Sequence, residues 1–197
     1  MRNAKITKMV AVAFLMALVV VMQFVSGMIP PVGGFSISLV LIPVVLGAVL
    51  YGPGVGALLG ATFGTIVFIN CVTGADPGGA MVFQASPVLC FLVVMAKGTL
   101  AGLASGFFYK LLKKLNVYVA MLCAAIVCPV VNTGLFICGM FVFFMSTLEA
   151  WAGGMNVVYF AIIGLTGINF IVELVVNLAL SSAITGIIRY GKGQRRE

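Results

Sequence analysis

The residues in this chain able to do chemistry are few, and they stand inside otherwise apolar runs. Lys97 lies in FLVVMAKGTLAG and Glu173 in INFIVELVVNL, each deep within a long hydrophobic stretch. Thr166, Asn169, Glu173, Asn177 and Ser181 recur at spacings of three and four, which places them along one helical face. Asn132 follows Pro129 by one turn in CPVVNTG, where the proline removes a helical hydrogen bond and frees the Ala125 carbonyl. A charge at the centre of a bilayer costs on the order of 3 kcal/mol on insertion scales. Lys97 and Glu173 are therefore expected to face the interior of a helix bundle. They can neutralise each other as a structural ion pair, or the same groups can also sense a ligand. Asn132 and the polar stripe read either as interhelical glue or as the lining of a polar cavity. Convergence of Lys97, Asn132, Asn169, Glu173 and Asn177 at similar depth favours the cavity.

Other chemistries lack their residues. Histidine is absent and only four residues are acidic, none of them paired, so no nucleophile with a base and no metal cluster is expected. A membrane enzyme therefore has thin support, and no catalytic residue, metal or cofactor is assigned. The five cysteines, Cys71, Cys90, Cys123, Cys128 and Cys138, form no CxxC pair and read as small buried hydrophobes. No GxxxxGK[ST] loop is present, so ATP is not hydrolysed by that route. The net charge of +7 would suggest nucleic acid in a soluble protein. Here the basic residues cluster at the ends of apolar runs, and no nucleic-acid partner is expected.

The elements that must position these groups follow from composition. Hydrophobic residues make up 63% of the chain and charged residues 8%, with a mean hydropathy of +1.27. Soluble domains carry about 25% charged residues, so the surface must face lipid. The first apolar run is too long for a signal-peptide core and lacks a convincing cleavage site, so it is read as a span. The expected fold is an all-α integral membrane bundle of six transmembrane helices in a single domain, residues 1–197. Expected spans are residues 8–28, 37–51, 55–72, 87–109, 118–145 and 157–190. The segment TGADPGGAMVFQ is expected as a loop, and Ser86 with Pro87 as the start of the fourth helix. The last span is longer than a bilayer needs, so it tilts, breaks near Gly164 and Gly167, or extends into the cytoplasm. Of the eleven basic residues, all but Lys97 fall at the termini or between the fourth and fifth helices, which places both termini in the cytoplasm. The opposite loops hold Asp76, Glu149 and Trp151.

Small residues add a packing signal. Gly52, Gly56, Gly60 and Gly64 are spaced by four, as are Gly98, Gly102 and Gly106, which suits close helix approach in lipid. Ala13 and Ala17 repeat the pattern on the first helix. Between fixed helices that pair is plain packing, and on an outer face it is a docking patch.

The first-helix AFLMA with Ala13 and Ala17, the segment FSISLVLIPVVLGAVLYGPGVGALLGATFG and KGTLAG in the fourth helix resemble the substrate-binding S components of energy-coupling factor (ECF) transporters. The match covers nearly the whole chain and is nearest the riboflavin and pantothenate type. The resemblance implies high-affinity capture of a water-soluble vitamin or related metabolite at the outer side of a bacterial cytoplasmic membrane. It implies a membrane T component, docked on Ala13 and Ala17, and two cytoplasmic ATPase subunits that supply energy. The ligand site it implies comprises Asn132, Asn169, Glu173, Lys97 and Asn177 with the loop residues Phe35, Phe83, Gln84 and Trp151. A deep lysine suits a carboxylate such as pantothenate, a deep glutamate a cationic ligand, and asparagines suit a flavin edge equally well. A structural membrane subunit and a self-sufficient secondary transporter are the alternatives.

Overall fold

The computed structural model describes residues 2–28, 39–167 and 169–179, and every regular element among them is helical. In chain order these are α1 (Arg2–Gly27), α2 (Leu41–Tyr51), α3 (Pro53–Thr73), α4 (Pro77–Ala85), α5 (Pro87–Leu112), α6 (Val117–Phe143) and α7 (Met145–Ala152). The short α8 (Val157–Tyr159) runs into a π-helical turn, Phe160–Leu165, and α9 (Asn169–Ala179) follows. Helices α1, α3, α5 and α6 are each long and apolar enough to cross a membrane. A fifth crossing is available if α7 and the segment Val157–Leu165, bent by 93° at their junction, act as one broken span. Helix α2 has 11 residues, or about 16 Å of rise, short of a bilayer on its own.

Two segments differ from the sequence expectation. Residues 73–84, expected as a loop, contain all but the last residue of α4. Pro77 occupies its first turn, where a missing N–H costs nothing, and Gly78, Gly79 and Val82 are buried beneath it. Helix α7 lies within the connection after the fifth expected span; it buries Leu148 and Ala152 at a spacing of four and exposes Glu149. Both are short amphipathic helices that need the bundle beneath them to form. The long final helix breaks where its glycines stand, and residues 180–190 of it lie outside the described residues.

The tightest contact in the bundle is between α3 and α5. A Cβ on Gly56 would strike the Gly102 carbonyl oxygen, and one on Gly60 would strike that of Gly98. A Cβ on Gly64 would lie 2.8 Å from the Val94 carbonyl oxygen, and one on Gly106 2.6 Å from Pro53 Cα. The two glycine series therefore mesh antiparallel, backbone on backbone. Helix α6 packs on the other side of α5, where Ser105 Oγ donates to the Ala124 carbonyl at 3.0 Å. Asn116 caps α6 by accepting from the N–H groups of Tyr118 and Val119. Leu59, Phe63, Met121 and Met140 fill the interior, while Phe14, Phe24, Val88, Phe107 and Val142 point outward. Such a surface suits lipid, and packing rather than water exclusion must hold the helices together.

The seam generates a prediction. Gly60→Leu forces side-chain atoms into the Gly98 backbone and should cost about 3 kcal/mol or more. Gly134→Ala, where an added Cβ meets nothing within 4 Å, should be neutral. Thermal unfolding of both variants in detergent checks the contrast.

Candidate functional site

A narrow polar cavity of about 70 Å³ lies among α1, α3, α5, α6 and the π-turn–α9 segment. Each element contributes through its own local logic. Helix α3 presents Phe63, Val67 and Asn70, beginning one residue before the Gly64 rung, and Asp76 follows in the turn before α4. Helix α5 presents Lys97, adjacent to the Gly98 rung. Helix α6 contributes Asn132, Thr133 and Phe136, beginning three residues beyond Pro129. Helix α1 adds Gln23.

The π-helical turn sets the remaining wall. Thr166 Oγ1 donates to the carbonyls of Ala161 at 3.0 Å and Ile162 at 3.2 Å, so the hydroxyl ties down the wide turn. Leu165 and Thr166 then face the cavity, and α9 resumes with Asn169 and Glu173 on the same side. Such single wide turns recur at functional sites because they re-aim a helix face. Asn177 is buried one turn further on, where its amide donates to the Glu173 carbonyl at 2.7 Å. It supports α9 and does not line the cavity.

Lys97 is the one cation among the described lining residues, which also include the carboxylates of Asp76 and Glu173. Its Nζ lies 4.8 Å from the centre of the Phe136 ring and 6.0 Å from that of Phe63. Cation–π attraction of this kind contributes about 0.5–2 kcal/mol, the more so away from water. Ring faces attract the charge but offer no lone pairs, so the three N–H donors of the ammonium suit an additional acceptor. Asn132 Oδ1 and Gln23 Oε1 are buried without a hydrogen-bond partner among the described residues. A buried acceptor left unmatched costs about 1–3 kcal/mol, a cost that a donating ligand removes. The arrangement suits a compact polar molecule with several hydrogen-bonding groups.

Of the residues singled out from sequence, Lys97, Asn132, Asn169 and Glu173 come together on this cavity. Phe83 instead stacks edge-on against Phe68 at 5.8 Å, Gln84 is exposed, and Trp151 is half-buried against the core from α7. Phe35 and Ser181 lie outside the described residues. Gln23, Asn70, Thr133 and the two ring partners of Lys97 were not anticipated. A lone glutamine in VVVMQFV and a lone asparagine in VFINCV were the available signals.

The profile of the ECF transporter substrate-specific component family matches residues 7–188, a span that includes every lining residue named above. The chain belongs to that family. It is thus a membrane transport subunit whose task is to bind substrate. A similar protein is the pantothenic acid transporter PanT of Lactococcus lactis subsp. cremoris (strain MG1363), 24% identical over 194 residues. That alignment covers 93% of this chain and 94% of the relative.

The orphaned acceptor gives this S component a distinctive prediction. Asn132→Ala should leave the thermal stability of the ligand-free protein nearly unchanged, because it removes an unmatched buried oxygen. Substrate affinity should fall about tenfold or more as the ligand loses its acceptor. Parallel melting curves and binding isotherms check both halves.

Proposed function

We propose that this S component captures a water-soluble vitamin, pantothenate first, at the outer face of a bacterial cytoplasmic membrane. The observation that carries the reading is the Lys97 ammonium set between Phe63 and Phe136, in a cavity whose other polar groups are carboxamides, hydroxyls and the carboxylates of Asp76 and Glu173. Pantothenate presents one carboxylate, one amide and two hydroxyls, a matching inventory. The name of the lactococcal relative supports the same choice. Lys97 binds the carboxylate, Asn132, Asn169 and Gln23 the amide and hydroxyls, and Glu173 accepts from a ligand hydroxyl. A purely structural subunit would have no use for these buried groups.

Basic residues at both termini and after α5 put those ends in the cytoplasm and the α4–α7 end outside. Energy comes from partners, a T component in the membrane and two ATPase subunits. Ala13 and Ala17 are exposed on α1 beside Val10, Phe14, Val21 and Phe24, forming the strip on which the T component docks.

Calorimetric titration of the ligand-free protein tests the assignment. Pantothenate should bind with a Kd in the nanomolar range, about −12 kcal/mol. Tight binding of riboflavin with none of pantothenate would select the flavin, and binding of neither would remove the vitamin reading. In the same preparation Ala13→Trp should keep the affinity while abolishing uptake in cells supplied with the partner subunits. Undiminished uptake would place the docking strip elsewhere.

A further inference from the structure

The α3–α5 seam continues outward beyond its glycines to a pair of thiols. On α5 the rungs Gly106, Gly102, Gly98 and Val94 step by four, and the next step is Cys90. It lies close to Cys71 of α3, near enough for the two thiols to influence each other. Both side chains are buried, at 3% exposure for Cys71 and 1% for Cys90. One turn along the same interface, Phe68 and Phe91 pack edge to face with centroids 5.1 Å apart. Helix α4 lies directly over the pair. A Cβ on Gly79 would be 2.5 Å from Cys71 Sγ and 2.9 Å from Asp76 Oδ2, so the sulfur lies close to a cavity-lining carboxylate.

We propose that Cys71 and Cys90 form a redox modification site, closed to a disulfide by a two-electron oxidant of the peroxide class. The inference does not depend on which vitamin is bound. Helices packed through ordinary side chains lie about 8–10 Å apart, whereas a disulfide needs Cα atoms about 4.4–6.8 Å apart. The glycine rungs bring α3 and α5 closer than ordinary packing and set two cysteines on the same interface. The other three cysteines are all on α6. Asp76, close to Cys71, belongs to the cavity lining.

The step balances without further reagents. One thiolate attacks a peroxide oxygen; an S–O bond forms, the O–O bond breaks, and the leaving hydroxide takes up a proton as water. The second thiol attacks the sulfenic sulfur; the S–S bond forms and the S–O bond breaks, releasing a second water. The two thiols together lose two protons and two electrons. The product covalently closes the segment that carries α4 and Asp76, bracing the cavity mouth against both walls.

The test uses the full wild-type chain in detergent, treated with hydrogen peroxide, quenched with N-ethylmaleimide and mapped by peptide mass spectrometry. The expected product is a Cys71–Cys90 linked peptide about 2 Da lighter than the two free peptides combined, reversed by dithiothreitol. A Tm several degrees higher should accompany it, and Cys90→Ser should lose both signatures. Oxidation of the exposed Cys138 in the same sample shows that the oxidant was active. Recovery of Cys71 and Cys90 as separate peptides alongside oxidised Cys138 overturns the proposal. A fall in Tm on closing also overturns it, since the helices would then have had to be pulled together.

Discussion

Backbone contact between α3 and α5 is the constraint on which the rest of this protein depends. In a bilayer, helices gain nothing from hiding apolar surface from water, so close van der Waals approach must hold them. Glycines supply it here by letting the carbonyls of one helix sit where the side chains of the other would otherwise stand. That seam fixes the rotation of both helices. It sets Phe63 and Lys97 beside the meshed backbones and turns them toward the same space, where the ammonium meets the ring. A shift of one residue in the mesh would send Lys97 toward lipid or packed side chains.

The second constraint is the cost of holding polar groups in such a bundle. Gln23, Asn132, Asp76 and Glu173 are all nearly buried, and in a protein of this composition each represents free energy withheld from stability. The cavity makes sense of them collectively. Cation–π contacts orient Lys97, the π-helical turn rotates Thr166, Asn169 and Glu173 inward, and the Gln23 and Asn132 amide oxygens, unmatched among the described residues, stand ready for donors. A site arranged this way surrenders some stability when empty and recovers it when a ligand binds.

How much of this was legible in the sequence depended on contrast. Lys97, Asn132, Asn169 and Glu173 stood out because polar groups are costly in apolar runs, and the structure gathers all four on the cavity. The glycine series was legible because its spacing of four has few uses other than close packing. Phe63 and Phe136 were hidden, since an aromatic ring among apolar residues carries no mark of the charge it faces. Gln23 and Asn70 were single polar residues without a periodic partner. Helices α4 and α7 are only 9 and 8 residues long, and they form because the bundle buries one face of each. Cys71 and Cys90 each read as a small hydrophobe, and only the seam shows that they meet.

The proposed occupant of this cavity is a small, singly anionic, water-soluble vitamin. Mass spectrometry of the small molecules released on denaturing the protein, freshly purified from vitamin-replete cells, tests it most directly. The account predicts one such compound, pantothenate foremost, at close to one molecule per chain, and its loss from a Lys97→Met variant that remains folded. Recovery of lipid alone, or of the same compound at undiminished occupancy from Lys97→Met, would contradict it.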